Sequence, residues 1–171
     1  MNTDYKIEAI EFLLNRDCVL GRYYPLIPIK SQIISFLKST DVTVKNDCDK
    51  IPDEAYLKSG ILDKNTLLLF KRFLSLYDVK QTKFKELDKL GLTPKKYAVY
   101  KEFYYLPGVK ERRASLYYGI GLRSIKDIAS ALPSDIIYKC EEFIKRENSG
   151  LKPPLLKEVK THIAVAKAFT F

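Results

Sequence analysis

The chain has 171 residues, 46% of them hydrophobic and 30% charged, a balance typical of soluble globular proteins and enough length for one domain or two small ones packed together. No apolar run reaches bilayer length and residues 1–15 lack a secretion-signal pattern, so a cytosolic protein without a membrane partner is expected. The net charge of +9 raises the question of an acidic partner, and its location matters more than its size.

Residues 3–15 predict a helix, capped by Thr3 or a neighbour, with Ile7, Ile10, Leu13 and Leu14 on one face. Gly21, Pro25 and Pro28 then break the pattern, and a second helix is expected over residues 30–39, where Ile33, Phe36 and Leu37 repeat at helical spacing. Residues 40–50 are polar and aperiodic, as in a loop; Val42 and Val44 alternate like a strand, but no partner strand is evident.

From residue 51 one junction recurs. Gly60, Gly91 and Gly121 precede Ile61, Leu92 and Leu122, and Asp63, Thr93 and Ser124 follow. Each reads as a helix ending at a left-handed glycine, an apolar residue folding back, and a capping side chain opening the next helix. Pro94 stands at the first helical position behind Thr93, and Asp127 follows Ser124 at capping-box spacing. Helices are expected over residues 64–77, 82–90, 94–104, 111–118, 125–131 and 135–147. A last one runs from Pro153 and Pro154 through residue 169. The segment 65–77, apolar on nearly every side, predicts a central buried helix. The fold class is all-α, a bundle of short helices in two parts, 1–92 and 93–171, which could share one continuous core.

The positive charge is concentrated in the second part. Residues 1–50 carry seven Lys/Arg and seven Asp/Glu, residues 51–92 eight and six, and residues 93–171 fifteen and eight. Within this basic half, Leu106-Pro107-Gly108-Val109 breaks a helix that residues 95–105 would otherwise extend, and Lys110, Arg112 and Arg113 follow at once. Two helices joined by so tight a turn leave the first amides of the second without intrahelical partners, forming a small anion site ringed by cations.

Residues 94–131 resemble the helix-hairpin-helix proteins of DNA repair, recombination and replication. The residues that carry the resemblance are Leu106, Pro107, Gly108 and Val109 at the hairpin, Ala114 as the small helix-contact residue, Gly121 and Leu122 at a second turn, and Ser124, Asp127 and Ile128 in the next helix. The resemblance implies that hairpin amides at Gly108, Val109 and Lys110 hold a phosphate oxygen regardless of base sequence, with Arg112, Arg113, Lys95 and Lys96 adding charge. Lys110 departs from the pattern, which usually has a second glycine there; right-handed backbone would leave the amides open, and left-handed backbone would close them. Glu111 adds a carboxylate beside the expected phosphate.

No residue set predicts catalysis, a metal or a cofactor. Asp127 is explained by capping, and Cys18, Cys48 and Cys140 are scattered and odd in number, as free structural thiols would be. His162 is the sole histidine; with Glu158 four residues earlier it predicts a solvent-facing pair rather than a two-ligand metal site. The tyrosines and phenylalanines of residues 97–118 fall on helical faces and predict core packing, with Tyr104 or Tyr105 as the candidate stacking surface. The sequence therefore predicts a non-enzymatic, sequence-independent nucleic-acid binder, DNA before RNA. The alternative is a protein-interaction or self-association module that docks a homodimer or other partner through the C-terminal helix and tyrosine surface.

Overall fold

Local capping chemistry sets the three helix junctions that recur from residue 51 onward. The computed structural model describes residues 4–171, and Gly60, Gly91 and Gly121 there all take positive φ, at 74°, 65° and 100°. Each of the three junctions is then closed by its expected cap: Asp63 accepts from the Thr66 amide at 2.8 Å, Thr93 from Lys96 at 3.4 Å and Ser124 from Asp127 at 3.1 Å. At Gly121 the Leu122 amide reaches back to the Tyr117 carbonyl at 3.1 Å, a six-residue closure that only a left-handed residue permits.

The α-helices are α1 (Ile10–Leu13), α2 (Lys30–Lys38), α3 (Asp53–Lys58), α4 (Lys64–Ser75), α5 (Thr82–Asp88), α6 (Pro94–Phe103), α7 (Glu111–Gly119), α8 (Ile125–Ser130), α9 (Pro133–Glu147) and α10 (Leu156–Thr170). Single 3-10 segments cover Ile7–Ala9, Gly21–Ile29 and Lys45–Lys50. The described residues contain no β-strand, so the all-α class holds.

Three expectations change. The helix expected over residues 3–15 shrinks to a 3-10 turn and α1, because Asn15 ties its side chain to the Phe12 carbonyl and the Asp17 amide and so ends the helix locally; Thr3 lies outside the described residues. Val44 does find a partner, an isolated antiparallel bridge to Lys6, framed by Lys45 N–H to the Tyr5 carbonyl at 2.9 Å and Ile7 N–H to the Thr43 carbonyl at 3.1 Å. The central helix is α10, not α4. Helix α4 buries Leu67, Phe70, Phe73 and Leu74 but leaves Leu68 51% exposed, which makes it amphipathic.

Helix α10 buries Val159, His162, Ile163, Ala164, Val165, Ala166 and Ala168. Its alanines let neighbouring backbones approach closely, and α1, α8 and α9 all pack on it. One cluster of buried side chains runs from Tyr5 to Ala168, so the two parts of the chain share a single core. No helix among the described residues is long and apolar enough to cross a membrane.

Candidate nucleic-acid interface

Helices α6 and α7 form an antiparallel pair. Phe103 meets Tyr117 edge-on at 6.1 Å and Tyr100 meets Tyr118 at 5.9 Å. The turn between them is pinned to the core by Leu106 and Val109, both fully buried, and Ala114 is buried in the helix that follows. Gly108 alone in the turn is left-handed, at φ 71°, with open space where a Cβ would stand. Lys110 has φ −129° and ψ −159°, extended backbone that any residue adopts, so its departure from the glycine pattern costs the turn nothing.

The carbonyls of this turn are held inward. Leu106 O accepts from Val109 N–H at 3.3 Å and from Lys83 Nζ at 3.1 Å. Pro107 O lies 2.8 Å from His162 Nε2, and because a carbonyl can only accept, Nε2 carries the proton. Nδ1 is then left to accept from the Tyr117 hydroxyl at 2.7 Å. Burial pulls the His162 pKa down to about 4, although the bond to Pro107 works in the other direction. Burial also raises the Tyr117 phenol, which stays a donor.

The turn's Leu106 and Pro107 carbonyls are thus taken up, while several of its amides are not. No side chain caps α7, and among the described residues the N–H groups of Gly108, Lys110, Glu111 and Arg112 have no bonded acceptor. Such a group of donors at a positive helix end can hold an anionic oxygen. Lys110 and Arg112 are exposed beside it; Lys110 also lies 3.5 Å from Glu86.

The other expected contacts fall elsewhere. The Val109 amide closes the turn and is unavailable to a ligand. Arg113 turns inward, its Nε 2.8 Å from Glu158 Oε1 and its NH1 3.3 Å from the Lys152 carbonyl. Lys95 and Lys96 lie at the opposite end of α6, about 10 Å of helix rise before the turn begins, and Lys96 stacks over the Tyr100 and Tyr118 rings. His162 is likewise buried instead of solvent-facing, and its expected neighbour Glu158 belongs to Arg113.

No protein-family model matches this chain, and no curated protein or solved structure shows significant similarity to it. Geometry and chemistry alone therefore carry the functional reading.

Two cations near the turn come from outside the helical pair. Lys80 and Lys83 of the α4–α5 region line a cleft that also reaches Gly108 and Lys110; three-residue spacing in "VKQTKFKE" was the available signal. Tyr104 is buried, at 2% exposure, while Tyr105 is half-buried and packs on Phe84 and Phe169. Asp127 accepts from the Arg123 amide at 2.8 Å, one residue before the Ser124 N-cap, so the reciprocal capping box expected of it is replaced by a bond to the preceding residue. All three cysteines are free, and burial pushes the Cys48 and Cys140 thiols up to about 12. No group of three or more His, Cys, Asp and Glu among the described residues is placed to hold a metal.

Proposed function

We propose that the protein is a non-enzymatic, sequence-independent nucleic-acid binder, with DNA the expected partner before RNA, that grips backbone phosphate at the α6–α7 turn. The observation that carries this reading is the set of unbonded amides of Gly108, Lys110, Glu111 and Arg112 at an uncapped helix start, while the Leu106 and Pro107 carbonyls before them are taken up by Lys83 and His162. Lys110, Arg112, Lys80 and Lys83 add charge around that point; Arg113, Lys95 and Lys96 do not. Phosphate contacts fix position without reading bases, hence the lack of sequence preference. Fluorescence anisotropy of labelled single- and double-stranded DNA at several salt concentrations tests it. The expected log–log slope is roughly −2 to −4, from about −0.9 per neutralised phosphate; a flat salt response would sink the proposal. The rival reading, docking a homodimer or other partner through the C-terminal helix and tyrosine surface, draws less support because seven residues of that helix are buried in the core.

A further inference from the structure

Between α5 and the hairpin lies a cleft of about 460 Å³, with Lys80, Lys83 and Glu86 on one side and Tyr105, Gly108 and Lys110 on the other. That volume suits a small organic ligand better than a single ion. The ammonium groups of Lys80, Lys83 and Lys110 line it with two carboxylates, Asp78, which pairs with Lys45, and Glu86, which pairs with Lys110, so that Lys80 and Lys83 carry the charge left over. Among the described residues Lys83 forms no salt bridge: its Nζ donates to the Leu106 carbonyl and sits 5.7 Å from the centre of the Tyr104 ring. Burial, then the nearby charges of Lys110 and Lys80, pull its pKa down to about 8. An anion in the cleft would relieve that strain.

We infer that this cleft receives a phosphorylated terminal nucleotide of a nucleic-acid strand, its phosphate among Lys80, Lys83 and Lys110 and its sugar or base against Tyr105. The inference rests on the nucleic-acid reading above and narrows it to strand ends. A nucleotide inside a duplex is paired and stacked and cannot enter a recess without being extruded, whereas an overhanging one is free to turn in and stack on an aromatic side chain.

Three DNAs of one sequence test it by anisotropy: a closed dumbbell without ends, the same duplex with a short overhang ending in phosphate (at the 5′ or the 3′ end), and that overhang ending in hydroxyl. At one end or the other the phosphorylated overhang should bind at least about tenfold more tightly than the dumbbell, a difference of about 1.4 kcal/mol. Lys83→Gln should abolish this preference, read within the variant as the ratio of phosphorylated-overhang to hydroxyl-overhang affinity falling to about one, and Lys80→Gln, at an exposed position, should reduce the same ratio in a chain whose fold is not at risk. Equal affinity for all three DNAs overturns the strand-end inference and leaves the hairpin reading intact. Absence of binding to any of them overturns both. Free nucleoside monophosphate that binds as tightly as the phosphorylated overhang would make the ligand a free nucleotide and overturn the assignment to strands.

Discussion

The two ends of the α6–α7 pair carry similar residues and differ in what those residues are doing. At the far end Thr93 caps α6, Lys96 lies 5.3 Å from the centre of the Tyr118 ring, and the Arg123 guanidinium stacks on the same ring at 3.8 Å while donating to the Tyr118 and Leu122 carbonyls. At the hairpin end α7 has no cap, the amides of Gly108, Lys110, Glu111 and Arg112 are unbonded, and Lys83 lines a cleft without a salt-bridge partner of its own among the described residues. Both ends are basic and aromatic. The hairpin end leaves a run of amides and a partly buried ammonium for a ligand, whereas the far end engages its cap, Lys96 and Arg123 within the protein itself, so local bonding, more than charge density, distinguishes a site from a stabilised surface.

The largest expected effect comes from Gly108→Asp, which places a carboxylate among the amides. Asp tolerates left-handed backbone better than most residues, so the fold should survive at a cost of roughly 1 kcal/mol while DNA affinity falls by about a hundredfold, close to 2.7 kcal/mol. The same titration with Lys95→Gln and Lys96→Gln together should show a loss of less than about threefold. If the far-end pair mattered more, the comparison would be inverted.

Acid should expose the anchor behind the hairpin. The unfolded chain takes a proton on His162 below about pH 6.5, and the folded chain refuses it until about pH 4. Stability is therefore full above pH 6.5 and falls as pH drops toward 4, by roughly 2–3 kcal/mol at 1.36 kcal/mol per pH unit. Urea unfolding at pH 7 and pH 4.5 measures the loss, and His162→Gln should lack this component of the acid sensitivity.

Lys110→Ser tests the cap directly. A serine at the N-cap of α7 can accept from the amides that the proposal reserves for phosphate, so the helix should gain about 0.5–1 kcal/mol while binding weakens by several-fold in anisotropy. The smallest effect should come from Thr93→Ala, which removes the far-end cap at a cost of about 1 kcal/mol in a thermal melt and leaves DNA affinity unchanged.

Features set by a few neighbouring residues were legible in the sequence. Asp63, Thr93 and Ser124 were readable as caps, and the Pro107-Gly108 turn as a hairpin, because a cap or a left-handed glycine acts within three or four residues. Arg112 and Arg113 were not separable: adjacent helical residues point about 100° apart, and only the packing of α10 makes the second one face Glu158. The role of His162 was hidden for the same reason, since its partners Pro107 and Tyr117 lie 55 and 45 residues away. Lys80 and Lys83 reach the hairpin across a chain boundary that the composition of residues 93–171 could not reveal. The centre of the bundle was missed because α10 achieves close packing with alanines rather than large apolar side chains, while the Leu- and Phe-rich α4 has one face in solvent.

Helix α10 follows in chain order every element that packs against it. It supplies the imidazole that holds Pro107, the carboxylate that holds Arg113, and Lys157, which donates to the Val19 carbonyl across 138 residues. During synthesis the earlier helices would emerge with their caps in place but with the seat for α10 open, exposing apolar surface until that helix arrives. Closing such distant contacts carries a large loop-entropy term, so this small helical protein should fold more slowly than helical bundles built from local contacts.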